Sequence, residues 1–192
     1  KAAKSPIVLA GHGAARNDAT DALVRFSERL GVPVATTFMG KGVFPDDHAN
    51  ALGALGFMRH DYANFGFDRA DVIVCVGYDL QEYAPARINP DASKKIIHIH
   101  RYPAEVDAHY HVAVGIEGNI PQSLDALAGA TEKSGSPAVA GAKIRALLRN
   151  EIDRGANDDS FPVKPHRLVA DIRRAMGRED IVLVDTGAVK MW

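Results

Sequence analysis

The sequence has one cysteine, almost no net charge and no long apolar run, and each of these features excludes a class of protein. The single cysteine, Cys75, rules out an internal disulfide and lies in an apolar run, which predicts a small core residue. The formal net charge is -1, and scattered lysines and arginines do not form the basic patch of a nucleic-acid-binding protein. No apolar run approaches the roughly 20 residues that span a membrane. We therefore predict a cytoplasmic protein that binds neither nucleic acid nor membrane.

What the chain does have is a hydrophobic fraction of 46% in 192 residues, enough for a packed core. These residues occur in short apolar runs that often end in glycine, and amphipathic segments with helical spacing lie between them. The alternation is typical of an α/β protein with a doubly wound, Rossmann-like parallel sheet of about six strands. Strands are predicted at residues 6–10, 32–37, 71–77, 95–100 and 112–116.

Capping residues and glycines predict the helix boundaries. Asn17 or Asp18 can cap a helix that ends at Gly31, and Asn119 can cap another helix. A short helix is predicted at residues 62–67. The glycine-rich segment before it, at residues 38–56, is predicted to be a long loop.

Composition changes after residue 130, and we predict three parts. Residues 1–130 form the sheet domain, and residues 131–162 form a linker with a surface helix at 143–154. Residues 163–192 begin a second α/β domain, with a helix from Pro165 to Met176 and a strand at 180–185. The chain begins without methionine and stops after this strand, so we expect a piece of a longer protein.

A Gly-His-Gly turn at residues 11–13 follows the first predicted strand, and the amides of such a turn can hold a phosphate. The dinucleotide fingerprint needs a third glycine, where this chain has Arg16, and an acid after the second strand, where it has Thr36 and Thr37. We therefore expect no ordinary NAD site. A tight turn without a ligand is the alternative. Glycines and a lysine also follow the second strand, at residues 40–42, where open α/β sheets bind ligands.

Two histidine pairs have the spacing of neighbours on one face of a strand. His98 and His100 are two residues apart on a predicted strand, and His109 and His111 repeat the spacing. Imidazoles bind zinc, but no cysteine joins these pairs. We predict no metal ligands and expect histidines that face solvent or the edge of a ligand site.

Candidates for catalysis are few. Asp79 and Glu82 follow the strand at 71–77 and are candidates for hydrogen bonding to a ligand. The sequence has no nucleophile elbow and no carboxylate pair at the expected strand ends. From its own residues we predict that the chain has no catalytic residue.

Four motifs in order carry a resemblance to a known family. They are the glycine turn at 11–13, Thr-Phe-Met-Gly-Lys-Gly-Val-Phe-Pro at 37–45, Gly-Ala-Leu-Gly at 53–56, and Ala-Asp-Val-Ile-Val-Cys-Val-Gly at 70–77. Together they resemble the central domain of thiamine-diphosphate-dependent enzymes of the acetolactate synthase and pyruvate oxidase group, a DHS-like NAD/FAD-binding fold. Lys-Pro-His-Arg-Leu at 164–168 resembles the opening of the C-terminal domain of that group.

The resemblance implies a longer parent enzyme with three domains. In that family the N-terminal domain supplies the glutamate that activates the thiamine ring, and the C-terminal domain holds Mg²⁺ and the diphosphate. The implied reaction is decarboxylation of a 2-keto acid such as pyruvate and transfer of the resulting unit to an acceptor, with thiamine diphosphate as electron sink. The family forms homodimers or homotetramers. The chain by itself is expected to be inactive.

The central domain of acetolactate synthases and pyruvate oxidases binds FAD, and matching positions imply cofactor-binding residues here. The implied flavin site is lined by Gly11, Gly13, Thr37, Met39, Gly40, Gly56 and Gly77, and Gly187 belongs to the diphosphate-binding part of the C-terminal domain. The alternative is a scaffold without flavin, since His98 and His100 stand where the flavin-binding members carry acidic residues. Two further interpretations stay open: a stand-alone nucleotide-binding module like those of electron-transfer flavoproteins or sirtuins, and a domain for subunit assembly.

Overall fold

A computed structural model of the chain describes residues 3–56, 62–132, 139–177, 179–185 and 187. These residues divide into two compact units, Lys1–Arg145 and Ala146–Trp192. Across the described ranges, none of the helices combines the length and the apolar character needed to cross a membrane.

The first unit alternates strands and helices as the sequence predicts. Its elements in chain order are β1 (Pro6–Ala10), α1 (His12–Arg16), α2 (Thr20–Leu30), β2 (Val34–Thr36), β3 (Ala51–Ala54), α3 (Tyr62–Asp68), β4 (Val72–Val76), α4 (Pro85–Ile88), β5 (Lys95–His100), β6 (Val112–Glu117) and α5 (Ile120–Ala130). The six strands form one sheet in the order β3-β2-β1-β4-β5-β6, and every neighbouring pair is parallel. The predicted α/β Rossmann-like sheet is confirmed.

The sheet has a core on each face because alternate residues of a strand point to opposite sides. Val8 of β1 and Val74 of β4 pack in one core with Leu124 of α5. Ile73 of β4 packs in the other core with Phe67 of α3. Both faces of β1 and β4 are therefore covered, which explains why their sequences are continuous apolar runs.

Two of the predicted helix ends are confirmed and one is wrong. Gly31 ends α2 with a φ of 64°, and the Asn119 side chain accepts a hydrogen bond from the backbone N of Gln122 at the start of α5. Neither Asn17 nor Asp18 caps α2, because a short helix, α1, comes first and Ala19 is the N-cap residue of α2. Asn17 ends α1 instead, and its amide donates to the backbone oxygen of Gly13.

Two short elements were not predicted from the sequence. Strand β3 lies inside the segment that we expected to be a loop, and helix α4 follows β4. Strand β3 has the sequence Ala-Leu-Gly-Ala at the edge of the sheet, so it lacks the β-branched residues that mark the other strands. Its pairing with β2 shifts register between Val34 and Ala35, which an alternation pattern does not reveal.

The second unit contains the end of helix α6 (Val139–Ala156) and helix α7 (Pro165–Ala175). Both helices were predicted, although α6 begins four residues before the expected start at residue 143. The strand predicted at 180–185 is wrong: these residues form no strand, and Ile181 and Leu183 are exposed. A strand needs a neighbour for its amides and carbonyls, and the described part of this unit contains none. The predicted boundaries at 130 and 162 stay predictions, and residues 133–138 of the predicted linker lie outside the described ranges.

Replacing Gly77 with alanine is expected to destabilise the first unit. Gly77 has a φ of 56°, and a Cβ there would lie 2.1 Å from the backbone N of Ala14. Strain in the left-handed region and displacement of the neighbouring turn should lower the free energy of unfolding by at least about 2 kcal/mol, measured by urea denaturation. Gly129→Ala is the control, because a Cβ on that helical residue meets open space. This change should raise the free energy of unfolding by about 0.5–1 kcal/mol. Equal effects of the two changes would contradict this role for Gly77.

Candidate functional site

The polar residues of the first unit gather at the carboxyl edge of the sheet. Strands β1 and β4 are neighbours there although β2 and β3 lie between them in the chain, so this is the switch point at which open α/β sheets bind ligands. Three segments meet at the switch point: the turn at 11–13, the segment at 37–40 and the loop at 77–82.

The amides of the turn at 11–13 already have acceptors within the protein. The backbone N of Gly11 donates to the oxygen of Val76 at 2.9 Å, and that of Gly13 donates to the oxygen of Gly77 at 2.8 Å. The backbone N of His12 donates to Oε2 of Glu82 at 2.9 Å. A phosphate bound at a strand-to-helix turn needs free amides. The turn therefore does not fit the diphosphate of a flavin in this arrangement.

Four of the glycines implied as flavin contacts lie where backbone segments cross. A Cβ on Gly11 or Gly13 would lie 2.4 or 2.8 Å from the oxygen of Gly77, and one on Gly40 would lie 2.6 Å from the oxygen of Ala10. Gly77 is similarly close to Ala14, as described above. These distances are too short for any side chain, so packing of the strand ends on one another explains the glycines without a ligand.

The other implied cofactor residues have different surroundings. Thr37 is buried, and its hydroxyl donates to Oε2 of Glu82 at 2.5 Å and accepts from the backbone N of Gly40 at 2.9 Å. Met39 is 61% exposed. Gly56 is half-buried just beyond β3, and Gly187 is an exposed residue of the second unit with a φ of 143°. The structure thus brings Gly11, Gly13, Thr37, Gly40 and Gly77 to one edge, and their role as cofactor contacts stays a prediction.

Glu82 joins the three segments. Its side chain is only 2% exposed. Besides the amide of His12 and the hydroxyl of Thr37, its carboxylate accepts a hydrogen bond from the backbone N of Asp79 at 3.0 Å. A buried carboxylate is stable only when donors surround it, and here the donors come from the ends of β1, β2 and β4.

Two histidines complete the polar cluster beside Glu82. His12 Nδ1 lies 3.3 Å from Oε1 of Glu82 and 3.5 Å from Oδ2 of Asp79. His100 Nε2 lies 3.6 Å from Oδ1 of Asp79. Both ring nitrogens are buried and have no hydrogen-bond partner among the described residues.

His98 and His100 are buried, so of the two expected positions the one facing solvent is wrong for this pair, and a position at the edge of a ligand site stays a prediction. Their rings stack with centroids 5.6 Å apart, as their shared strand face requires. His98 Nδ1 lies 2.9 Å from the hydroxyl of Tyr110, and burial lowers the pKa of His98 below its usual value. Burial also raises the pKa of the Cys75 thiol to about 12, which leaves it an inert core residue. His109 instead binds the backbone oxygen of Asn89, apart from this pair.

The sequence identifies Asp79 and Glu82 as hydrogen-bonding residues but expects their partner to be a ligand. The partner of Glu82 is the turn after β1, which precedes it by 70 positions. No local spacing signals this contact. The only sequence indication is the position of both acids just after a strand that is predicted to end beside the turn.

Glu82→Gln is expected to lower the free energy of unfolding by about 1.5–3 kcal/mol, because hydrogen bonds to a charged carboxylate are replaced by weaker bonds to a neutral amide. The new side-chain NH₂ would also face groups that donate hydrogen bonds to Glu82. Urea denaturation measures the change. Glu105→Gln is the matched control, since Glu105 is exposed and binds the side chain of Gln81. A loss at Glu82 no larger than that at Glu105 would show that the buried carboxylate does not hold the segments together.

Comparison with known proteins agrees with the fold and the order of motifs. The sequence profile described as "Thiamine pyrophosphate enzyme, central domain" matches residues 1–127. A probable acetolactate synthase large subunit of Methanocaldococcus jannaschii is 33% identical over 199 residues, which cover 97% of this chain and 33% of that protein. Its counterpart in Methanococcus aeolicus is 29% identical over 207 residues, covering 99% of this chain and 34% of that protein.

A third relative is a putative thiamine pyrophosphate-containing protein of Bacillus subtilis, 27% identical over 194 residues, with 99% of this chain and 32% of that protein covered. The chain thus spans about a third of the length of these relatives. Since the profile covers 127 of 192 residues, the chain belongs to the thiamine pyrophosphate enzyme family and contains its central domain.

Proposed function

We propose that this chain is the central portion of a thiamine-diphosphate-dependent enzyme that decarboxylates a 2-keto acid such as pyruvate and transfers the resulting unit to an acceptor. The observation that supports this is the match of the family profile to residues 1–127, together with relatives named acetolactate synthase that align over nearly the whole chain. Their alignments include the second unit as well as the first. The proposal includes a homodimer or homotetramer, and a cytoplasmic location stays a prediction.

Thiamine diphosphate, when bound with Mg²⁺, supplies the electron sink for decarboxylation. The Gly-Asp-Gly segment that holds the metal and diphosphate in the family does not occur in these 192 residues. Gly187, in the second unit, is the residue of this chain that we assign to the diphosphate-binding part of the enzyme. We therefore assign the reacting groups to other parts of the enzyme and no catalytic residue to this chain.

The first unit acts as a scaffold in this proposal. The turn at 11–13 donates its amides to Val76, Glu82 and Gly77, and the space beside its glycines is filled by the loop after β4. A flavin diphosphate would have to displace the Glu82 carboxylate and meet its negative charge. The unit then serves to hold its strand ends rigidly rather than to bind FAD.

Removal of thiamine diphosphate and Mg²⁺ is expected to abolish consumption of pyruvate by the longer polypeptide that contains this chain, and resupply of both should restore it. Carbon dioxide release from pyruvate and from other 2-keto acids measures the activity. The 192-residue chain assayed alone is the control and should release none. Turnover that survives removal of both cofactors, or turnover by the chain alone, would contradict the proposal.

FAD is expected to leave the thermal stability of the chain unchanged. A ligand held by the native state at about 100 times its Kd stabilises by about 2.7 kcal/mol, so binding would raise the Tm measurably. Scanning calorimetry with FAD, and with ADP as the matched ligand that lacks the flavin, measures the shift. A rise of Tm with FAD, or a yellow protein that retains flavin through purification, would refute the scaffold role while leaving the thiamine-dependent reaction in place.

A further inference from the structure

His12, Asp79 and Glu82 form a cluster, and the scaffold role uses the carboxylate of Glu82 but not the side chains of His12 and Asp79. One ligand-capable atom from each lies within 4.8 Å of those from the other two. The residues come from separate segments, since His12 lies in the turn after β1 and both acids lie in the loop after β4. Asp79 is 40% exposed on its side chain, which opens a path from solvent to the cluster, whereas Glu82 is buried.

The distances from His12 to the two carboxylates are those of neighbouring ligands around an ion. Nδ1 of His12 lies 3.3 Å from Glu82 Oε1 and 3.5 Å from Asp79 Oδ2. A hydrogen bond would bring such atoms to about 2.7–3.2 Å. Tetrahedral ligands at about 2.0–2.1 Å from Zn²⁺ lie roughly 3.3–3.4 Å apart. The two observed separations therefore match neighbouring ligands better than a hydrogen-bonded pair.

A buried ring nitrogen that faces two carboxylates without forming a hydrogen bond points to the same place. Nδ1 of His12 makes no hydrogen bond with any described residue, although two carboxylates face it. Such an orphaned buried group is costly unless something binds it. An imidazole nitrogen and two carboxylate oxygens together form a donor set for a divalent transition metal ion.

His100 faces the same carboxylate from the other side. The backbone N of Tyr102 donates to Nδ1 of His100 at 3.2 Å, so this nitrogen is the acceptor and the ring proton is on Nε2. Nε2 is also buried without a partner and lies 3.6 Å from Asp79 Oδ1. Its N–H faces the second oxygen of Asp79 beyond hydrogen-bond distance, on the side where groups that orient metal-bound carboxylates lie. The side chain of His100 is 6% exposed, so this contact is protected from water.

We propose that His12 Nδ1, Asp79 and Glu82 bind a divalent transition metal ion such as Zn²⁺, with His100 as a positioning residue for Asp79. The ion neutralises the two carboxylates and ties the turn after β1 to the loop after β4. Water completes the coordination on the exposed side of Asp79. The site differs from the Mg²⁺ of the thiamine cofactor, which the family holds in another domain. It rests on the geometry of the first unit and not on the proposed reaction.

Zn²⁺ titration of the chelator-treated chain tests the site by calorimetry. The expected result is one Zn²⁺ bound per chain, with a rise of Tm. His12→Ala and Asp79→Asn should each weaken binding by at least about tenfold. His111→Ala and Asp91→Asn are matched controls, since both residues are exposed and neither belongs to the cluster, and both variants should bind Zn²⁺ as the unchanged chain does. Far-ultraviolet circular dichroism verifies that each variant is folded.

The positioning role of His100 has its own readout. His100→Ala should keep one ion per chain, weaken binding about 10-fold, and shift the visible absorption of bound Co²⁺ because the carboxylate is no longer held in place. His100→Gln, which offers an amide N–H near the same position, should restore most of the affinity and the spectrum. A spectrum unchanged in His100→Ala would overturn this role.

Two other outcomes overturn the site itself. An unchanged chain that binds no Zn²⁺ would leave His12 as a histidine paired with two carboxylates and nothing more. Binding of equal strength by the unchanged chain, His12→Ala and Asp79→Asn would place the ion at other histidines. Neither outcome affects the thiamine-dependent reaction, which is measured on the longer polypeptide.

Discussion

The buried carboxylate of Glu82 is the interaction on which the carboxyl edge of the sheet depends. It accepts hydrogen bonds from the turn after β1, from Thr37 at the end of β2 and from its own loop after β4. A carboxylate out of water must be surrounded by donors, and these donors can gather only if the three strand ends are in register. One side chain thereby fixes the relative position of elements that are far apart in the sequence.

The glycines at this edge make that arrangement sterically possible. The loop after β4 crosses the turn after β1 so closely that a methyl group on Gly11 or Gly77 would overlap the opposite backbone. In a dinucleotide site, glycines at such a turn let a diphosphate approach the amides. Here the approaching group is the protein's own backbone, and the amides bind its carbonyls and Glu82. The same motif therefore has a structural use that requires no cofactor.

The limits of prediction from this sequence follow from how far apart the interacting residues lie. Strands β1, β4 and β5 were predicted at nearly their observed bounds, because β-branched apolar runs buried on both faces leave a strong signal. The sequence does not predict strand β3, since its alanines and glycine form no β-branched apolar run. Its strand conformation depends on pairing with β2. The strand expected at 180–185 has the right composition, but composition supplies no neighbour to pair with. The contact between His12 and Glu82 has no local sequence signal for the same reason.

The charge of the cluster decides which kind of ligand suits this edge. Amides and a helix start would favour an anion, as in nucleotide-binding proteins. In this protein the carboxylate of Glu82 is the anion that binds there, and Asp79 adds a second negative charge beside it. With the amides bonded and two carboxylates facing His12, the local preference is reversed from anion to cation. In the scaffold and the cation site that we propose, the same buried acid, Glu82, occupies an amide of the first turn and supplies one ligand to the ion.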